Sequence, residues 1–372
     1  MSRFVIAINP QKKWMENWKG KFMKRNAVKN MKVSWQCPSN IALVKYWGKR
    51  HFQLPENPSL SFSLKNSVSE TSVEITPGGT GKVNFIFEGR ESSFGNRVQT
   101  YIEYLSQETP WIRKADFRIV SKNTFPHSAG IASSASSFGS LALCLADIHR
   151  QLGGADANLE NIQQLASRWA RIGSGSASRS VYGGFSLWGR TNLFESSQDD
   201  YAIQLSNAVH PVYKGLKDAV LIVSSGEKKI SSSVGHKLME DNLYKRSRIA
   251  QAHEHLYSLY LTLLTGDKQP FLEIAEAEAL SLHAMMMTSN PPYILLKPNS
   301  LEIIQKVKQF RERTGIPLGY TIDAGPNIHL LYFLENKTEV QTFIEHELLN
   351  YCENHRWIDD GIGEGPQRLD VS

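Results

Sequence analysis

The stretch that decides the fold is Pro126-His127-Ser128-Ala129-Gly130-Ile131-Ala132-Ser133-Ser134-Ala135-Ser136. Residues 116–119, ahead of it, alternate polar and apolar as in a half-buried strand, and apolar residues from Phe138 to Ile148 recur at helical spacing. A loop of small residues that opens a helix points unpaired N–H groups and the positive end of the helix dipole at one spot. The pattern predicts a phosphate site; the alternative is an ordinary helix start capped by serine.

This loop differs from the two best-known nucleotide-binding loops. It lacks the Gly-Lys-Ser ending of a Walker loop and the Gly-x-Gly-x-x-Gly of dinucleotide folds. It resembles the phosphate loop of the GHMP kinases, whose pattern is Pro-x-x-x-Gly-Leu-x-Ser-Ser-Ala, with Ile131 in place of Leu. The resemblance indicates a superfamily but not a reaction.

Length and composition are typical of a cytoplasmic enzyme of two domains. A chain of 372 residues is longer than a domain with a single hydrophobic core usually is. No apolar run approaches the length that spans a membrane, so we expect no membrane partner. The three cysteines, Cys37, Cys144 and Cys352, have neither metal spacing nor the even count of a disulfide framework, which favours reduced thiols.

The basic balance of the chain comes from its first residues. Residues 1–32 hold nine Lys and Arg against one acid, and subtracting these from 42 and 36 leaves 33 basic and 35 acidic residues. We therefore predict a poorly ordered basic extension over residues 1–32, with Met31 as an alternative start. The near-neutral remainder gives no support for a nucleic-acid partner.

Two further segments carry residues suited to anions. A strand over residues 33–36 leads into a segment that ends Lys45-Tyr46-Trp47-Gly48-Lys49, whose lysines can contact phosphates or simply lie solvated at a strand edge. A helix over residues 159–171 runs into a Gly/Ser-rich loop, 173–180, that contains Arg179. The planar fork of arginine suits a carboxylate or a phosphate. A flexible linker is the alternative for this loop.

A second unit begins near residue 211, which gives domains at 33–210 and 211–372. An apolar run at 219–223 predicts a buried strand, and later strands at 319–322 and 328–333 flank the turn Asp323-Ala324-Gly325-Pro326-Asn327. Helical patterns cover residues 243–264, 271–287 and 301–313. This alternation indicates an α+β sandwich.

Four segments, taken in order, resemble the mevalonate diphosphate decarboxylase family, a branch of the GHMP superfamily. They are residues 40–49, 125–136, 173–180 and 323–327. The departures are His127, where the family often has Thr, and residues 1–32, which have no counterpart. The resemblance implies a GHMP kinase fold, with an N-terminal ribosomal-protein-S5-like α/β domain followed by a ferredoxin-like α/β sandwich, and a homodimer.

The resemblance also implies a reaction and its residues. ATP, with Mg²⁺, phosphorylates the 3-hydroxyl of mevalonate 5-diphosphate, and loss of that phosphate and of CO₂ gives isopentenyl diphosphate. Asp323 would orient or deprotonate the hydroxyl, Lys45 would lie beside it, and Arg179 would grip the substrate carboxylate. The remaining substrate contacts would be Tyr46, Trp47, Lys49, Ser176, Ser178 and Ser232. The ATP loop would be Ala129, Gly130, Ile131, Ala132, Ser133, Ser134, Ala135 and Ser136, with Ser134 at the magnesium ion.

Two alternatives stay open at this point. One is a relative with another substrate or product, a phosphomevalonate decarboxylase or a mevalonate 3-kinase. The other is an inactive GHMP-fold protein that only binds nucleotide. An inactive relative should have lost Asp323, Lys45, Arg179 or the Ser133-Ser134 pair, and all of them are present.

Overall fold

A computed structural model describes residues 28–126, 131–154, 159–205, 209–226 and 232–370, with backbone only at 159–161, 232 and 233. Most of the predicted basic extension therefore lies outside the described residues. Its last part does not: strand β1 (Met31–Ala42) begins inside it, and Val28 and Met31 pack against the first hydrophobic core. The folded chain is thus already in place a few residues before the predicted boundary.

The first sheet has eight strands. With β1 it contains β2 (Ser59–Pro77), β3 (Val83–Phe87), β4 (Arg90–Glu91), β5 (Ala115–Asn123), β6 (Phe185–Trp188), β7 (Ala202–Gln204) and β12 (Gln367–Leu369). Its main path runs β12-β1-β2-β5-β3-β4, while β6 pairs with β2 and with β7. Alternating polar and apolar residues at 58–64 and 72–75 predict two separate strands. The structure joins them in one continuous strand, because β2 pairs with β1 along most of its length.

Four helices pack on this sheet: α1 (Phe94–Glu108), α2 (Ser133–Gln151), α3 (Leu159–Gly173) and α4 (Ala177–Ser180). Helix α2 is buried on nearly all sides, and Leu143, Cys144 and Ala146 have no exposed surface. Small residues allow this close packing, since a Cβ on Gly139 would lie 2.5 Å from the sulfur of Cys37. The packing of α2 therefore fixes where its own first turn presents N–H groups.

The second sheet is antiparallel and has four strands, β8 (Leu216–Leu221), β9 (Leu318–Thr321), β10 (Ile328–Phe333) and β11 (Trp357–Gly361), in the order β11-β8-β10-β9. Its helices are α5 (Ser232–Leu238), α6 (Lys245–Thr265), α7 (Lys268–Met287), α8 (Pro298–Thr314) and α9 (Lys337–Phe343). The apolar run near residue 219 is β8, which is buried on both faces, since Leu216 and Val220 lie in one core and Ala219 and Leu221 in another. In the described ranges no helix is both long and apolar enough to cross a bilayer.

The two sheets share a central core. Phe62 and Phe185 of the first sheet and Leu331 and Phe333 of the second belong to one buried cluster with residues of α6 and α7. The end of the chain ties the units together again, because β12 pairs with β1. The division at residues 210 and 211 stays a prediction.

The tie at the end of the chain is reinforced by side chains. Leu369 lies opposite Ser34 in the ladder, and the Nε of Arg368 donates to the buried carboxylate of Asp147 at 2.7 Å. The indole N–H of Trp35 donates to the same carboxylate at 3.1 Å. The last strand therefore closes the edge of the first sheet and neutralises a buried charge of α2.

Candidate active site

A cavity of about 260 Å³ lies where four loops of the two units meet. They are the segment after β1, the first turn of α2, the loop into α4 and the turn between β9 and β10. The cavity is lined by residues from every segment that carried the family resemblance, among them Lys45, Tyr46, Trp47, Lys49, Ser134, Ser176, Arg179 and Asp323. Segments almost 280 residues apart in sequence thus meet at one site, as the Lys45–Asp323 contact shows.

A buried ion pair marks one end of the cavity. The Nζ of Lys45 lies 2.8 Å from Oδ1 of Asp323, and their side chains are 2% and 25% exposed. The turn that carries Asp323 is pinned, since Ser300 donates to the carbonyl of Pro326 at 2.7 Å and Asn327 accepts the N–H of Ser224 at 2.9 Å. The pair therefore presents a charged carboxylate from a fixed turn.

The backbone of Lys45 is held by side chains of both units. Glu278 of α7 accepts the N–H of Lys45 at 2.8 Å, while the amide of Asn57 donates to its carbonyl at 3.0 Å. Arg248 of α6 forms a buried ion pair with Glu278, and Nδ1 of His255 lies 2.7 Å from the same carboxylate. We call Glu278 and Arg248 the lysine clamp, because they fix the peptide group from which Lys45 projects.

Arg179 is a buried cation on the floor of the cavity. Burial lowers its pKa to about 10, against the opposing effects of Asp323 and Tyr46. Its guanidinium donates to Ser59 and lies 5.9 Å from the ring centroid of Trp188, but Nε has no hydrogen-bond partner in the described part of the chain. Because a buried cation with a free donor is costly, the site favours an anionic ligand there.

Two more cations lie at the other end of the cavity, where it adjoins a second cavity that Lys49 and Arg97 also line. Lys49 donates to the side chain of Gln53 at 3.1 Å, and Arg97 of α1 donates to the carbonyl of Gly173 at 2.6 Å. Burial lowers the pKa of both groups, and the charge of Arg97 lowers that of Lys49 further. Across the described ranges neither has a carboxylate within ion-pair distance.

The predicted phosphate loop reaches the cavity through its last residues. Ser133 is the first residue of α2, and Ala132 and Ser134 line the cavity. The hydroxyl of Ser134 lies 3.2 Å from that of Ser174, on the Gly/Ser-rich loop. The first turn of a long helix and two hydroxyls therefore face the same space, which suits phosphate groups.

The other residues predicted for this loop are placed differently. Ile131 and Ala135 are buried in the two large cores, and the hydroxyl of Ser136 bonds to that of Ser69 at 2.6 Å, away from the cavity. Their side chains support the loop. Ala129 and Gly130 lie outside the described residues.

The Gly/Ser-rich loop divides its serines between the cavity and the interior. Ser176 lines the cavity, whereas the hydroxyl of Ser178 is fully buried and donates to the carbonyl of Gly175 at 2.8 Å. In this structure the hydroxyl of Ser178 points back to its own loop rather than into the cavity, and the predicted substrate contact stays a prediction. A Cβ on Gly175 would lie 2.7 Å from the hydroxyl of Tyr46, so glycine is required there. The side chain of Ser232 lies outside the described residues.

An aromatic wall closes the side of the cavity beside Lys49. Its members are Tyr46, Trp47 and His236 of α5, whose ring centroid lies 4.4 Å from that of Tyr46 and 4.7 Å from that of Trp47. Burial raises the pKa of the Tyr46 hydroxyl, which donates to the carbonyl of Gln53 at 3.2 Å. Both hydroxyl and rings are therefore fixed without a ligand.

Asn40, Arg97 and His236 are among the cavity residues to which the sequence analysis gave no role. Asn40 lies within a quoted segment, and its amide donates to the carbonyl of Ser176 at 3.0 Å, with Oδ1 buried and unpartnered among the described residues. Arg97 lies in an amphipathic helix, where an arginine resembles any surface cation. No local pattern distinguishes His236.

The donor set fits a magnesium ion carried by phosphates. Among the residues that the structure describes, no three His, Cys, Asp or Glu side chains converge as a metal site. Mg²⁺ commonly takes one or two protein oxygens and completes its shell with water and substrate phosphates. The hydroxyl of Ser134 and the carboxylate of Asp323, both at the cavity, are oxygens of that kind.

Comparisons with known proteins identify the family. Residues 37–202 match the diphosphomevalonate decarboxylase-like N-terminal domain, and residues 219–362 match the mevalonate 5-diphosphate decarboxylase C-terminal domain. The diphosphomevalonate decarboxylase of Saccharomyces cerevisiae is 30% identical over 331 residues, which cover 84% of this chain and 80% of the yeast protein. This chain belongs to the diphosphomevalonate decarboxylase family.

Solved structures of this family have the same fold. The mevalonate diphosphate decarboxylase of Staphylococcus aureus superposes with a TM-score of 0.80 at 28% identity, covering 92% of this chain and 98% of that one. The structure of MDDEF in complex with MVAPP, AMPPCP and magnesium gives a TM-score of 0.79 at 27% identity, covering 92% and 100%. The predicted family and the predicted two-unit GHMP fold are confirmed.

Proposed function

We propose that this protein catalyses the ATP-dependent decarboxylation of mevalonate 5-diphosphate to isopentenyl diphosphate, ADP, phosphate and CO₂, in the mevalonate pathway of isoprenoid biosynthesis. The observation that carries the proposal is the Lys45–Asp323 pair, 2.8 Å apart, at the end of a cavity that also holds Arg179 and Lys49. One site thus offers a base for a hydroxyl and separate cations for a carboxylate and a diphosphate.

Asp323 is the residue that activates the 3-hydroxyl. It accepts or orients the hydroxyl proton while the oxygen attacks the γ-phosphorus of ATP, and a positioned base of this kind contributes about 10²–10⁴ in rate. Lys45, beside it, favours the ionised carboxylate and offsets negative charge near the transferring phosphoryl group. The pair already lies in hydrogen-bond contact, so no rearrangement is needed to assemble it.

The phosphate loop and α2 are the place for the ATP phosphates. The first turn of α2 and the hydroxyls of Ser134 and Ser174 face the cavity, where N–H and O–H donors can hold phosphate oxygens. Bound Mg²⁺ would supply charge neutralisation between the phosphates, with Ser134 as a candidate ligand. AMPPCP, an ATP analogue, and magnesium in the MDDEF complex support this assignment.

Arg179 is the residue that holds the substrate carboxylate until it leaves. Phosphorylation turns the poor hydroxide leaving group at C3 into phosphate. The C3–O bond then breaks with its electron pair, while the electrons of the C–CO₂⁻ bond form the new double bond and CO₂ departs. The fork of Arg179, buried at 2% exposure, fixes the carboxylate in line for this loss.

The 5-diphosphate would lie among Lys49, Arg97, Tyr46 and Ser176. Lys49 and Arg97 bring two positive charges to this end, which favours a diphosphate over a monophosphate at neutral pH. Trp47 contributes to the wall beside them. The phosphomevalonate decarboxylase alternative is therefore the weaker of the two.

Two further expectations concern assembly and compartment. We expect a homodimer, on the family resemblance. We also expect a cytoplasmic enzyme, since Cys37, Cys144 and Cys352 are free and buried.

The test measures release of ADP and of CO₂ in parallel on mevalonate, its 5-phosphate and its 5-diphosphate. The proposal expects one CO₂ per ADP, with by far the highest kcat/KM on the 5-diphosphate. ADP without CO₂ would indicate a 3-kinase, and preference for the 5-phosphate a phosphomevalonate decarboxylase. Release of neither, with ATP still bound, would indicate an inactive nucleotide-binding relative.

A further inference from the structure

His236 is a cavity residue that the mechanism above does not use. It lies on α5 with 8% of its surface exposed, and its ring leans on Tyr46 and Trp47 in the wall beside Lys49. Both contacts hold the ring plane in one orientation. A fixed polar ring in the wall of a substrate cavity can contact the substrate directly.

The hydrogen bond made by one ring nitrogen determines what the other can do. The backbone N–H of Gly48 lies 3.0 Å from Nδ1 of His236, and a backbone N–H can only donate. Nδ1 therefore accepts and carries no proton, so the neutral ring has its proton on Nε2. Gly48 has a φ of 93°, a conformation that favours glycine, so the turn that presents this N–H depends on the residue type.

The surroundings of the ring also favour the neutral form. Burial and the neighbouring charge of Lys49 lower the pKa of His236 to about 3. Nε2 has no hydrogen-bond partner among the residues that the structure describes. The ring lines the cavity, and its one N–H donor is the Nε2–H.

We propose that the Nε2–H of His236 donates a hydrogen bond to a phosphate oxygen of the substrate's 5-diphosphate, beside Lys49, as a specificity-determining contact. The inference rests on the proposed function, because it takes the diphosphate to lie at this end of the cavity. A neutral donor adds direction to the binding of an anion without adding charge to a cluster that already contains Lys49, Arg97 and Arg179. Because Nδ1 of His236 stays unprotonated, it continues to accept the N–H of Gly48 and so holds that turn in place.

The competing explanation is that His236 only holds Gly48. The two roles use different nitrogens, so two amide side chains separate them. The Oδ1 of an Asn reaches about the position of Nδ1 and can accept from Gly48, but Asn offers no donor at the Nε2 position. The longer Gln places its amide near Nε2 and leaves the Gly48 N–H without its acceptor. Both variants lose the same ring contacts.

The experiment compares His236→Asn with His236→Gln in the full chain. We measure KM and kcat for mevalonate 5-diphosphate and KM for ATP, with thermal midpoints of both variants. Loss of a hydrogen bond to a charged group should raise KM for the diphosphate roughly 10- to 100-fold in His236→Asn. His236→Gln should raise it about threefold, and KM for ATP should stay within about twofold in both. An equal rise, or a larger rise in His236→Gln, would overturn the inference.

A binding measurement separates this inference from the proposed function. If the parent chain binds mevalonate 5-diphosphate without releasing CO₂, the proposed function fails, while the ratio of the two variants' Kd values still decides the inference. If the parent turns over normally and the order of the variants is reversed, only the inference fails.

A spectroscopic measurement tests the contact in the parent chain itself. Histidine labelled with ¹⁵N in the parent chain should give a slow-exchanging Nε2–H signal for His236, assigned by its loss in whichever variant folds better. Saturation with mevalonate 5-diphosphate should move that proton downfield, as expected for a donor to an anionic oxygen. A signal that does not move on saturation would overturn the inference.

Discussion

The two ends of the cavity differ in whether their charged side chains are paired within the protein. At one end Lys45 and Asp323 neutralise each other at 2.8 Å. At the other end Lys49 and Arg97, and Arg179 between the ends, have no ion-pair partner within the described ranges, and burial lowers the pKa of all three. The first end is complete before any ligand arrives, whereas the second is completed by the charges of the ligand. Interactions in the first should therefore act on turnover and those in the second mainly on binding.

The largest expected effect comes from breaking the complete end. Asp323→Asn keeps the shape of the side chain but removes the base and the partner of Lys45. We expect kcat to fall by about 10³ or more, since loss of alignment adds to loss of the base. ATP affinity should survive, because the phosphate loop is a separate element. The measurement is single-turnover ADP release, with ATP binding determined in parallel.

Asp359→Asn is the matched control for that change. Asp359 also pairs with a lysine at 2.8 Å, Lys217, but does so on β11, away from the cavity. Its kcat should stay within about twofold of the parent. If Asp323→Asn also keeps nearly parental turnover, Asp323 only shapes its turn, and the proposed mechanism is wrong.

Arg179→Lys tests the cation between the two ends. Lysine keeps the charge but loses the fork and the stacking on Trp188. We expect kcat to fall by about 10², with KM for ATP changed by no more than a few-fold. An equal loss of ATP affinity would assign Arg179 to the nucleotide rather than to the carboxylate.

Lys49→Met tests the end that the ligand completes. Removing one of the cations that face the diphosphate should raise KM for mevalonate 5-diphosphate by roughly 10- to 50-fold, as for loss of a charge-assisted contact. The effect on kcat should be a few-fold at most, and KM should depend less on salt than in the parent. Lys214→Met, at an exposed position, is the control. A loss confined to kcat would contradict the comparison.

The smallest expected effect on kcat/KM comes from the lysine clamp. Glu278→Gln keeps an acceptor for the N–H of Lys45 but leaves Arg248 without its counter-charge, so we expect kcat to fall about tenfold, with a lower thermal midpoint. Glu276→Gln, on the same helix, breaks a comparable pair with Arg311 and does not touch Lys45. It should lower the midpoint and leave kcat near the parental value. Equal losses of kcat in both variants would show a general effect of stability.

The sequence predicts those segments of the site whose function requires an unusual run of residues. A loop that holds phosphates needs small residues, and the turn with Asp323 and the segment with Lys45 are short runs of specific residues, so each is visible alone. The structure brings all of them to one cavity. The roles proposed for them stay predictions.

The other residues of the site could not be predicted from local sequence, because packing between distant segments brings them to the cavity. Arg97 and His236 each lie on a helix whose sequence is ordinary, and they reach the cavity because α1 and α5 pack beside it. Ser178 shows the converse, since the family resemblance implied a substrate contact, yet its hydroxyl points inward to the carbonyl of Gly175. For the fold, periodicity predicted most strands and helices, but β2 was divided in two because its middle is polar where it pairs within the sheet.

Strand β12 has a consequence for how the protein is made. The ladder partners of Ser34 and its neighbours are Leu369 and its neighbours, which are synthesised more than 300 residues later. Arg368, which donates to the buried carboxylate of Asp147, is also made late. On a ribosome the first sheet is therefore the earliest to emerge and the latest to be finished. Until residues 367–369 emerge and pair, the β1 edge stays open to other strands, and this is the interval in which a chaperone can protect the nascent chain.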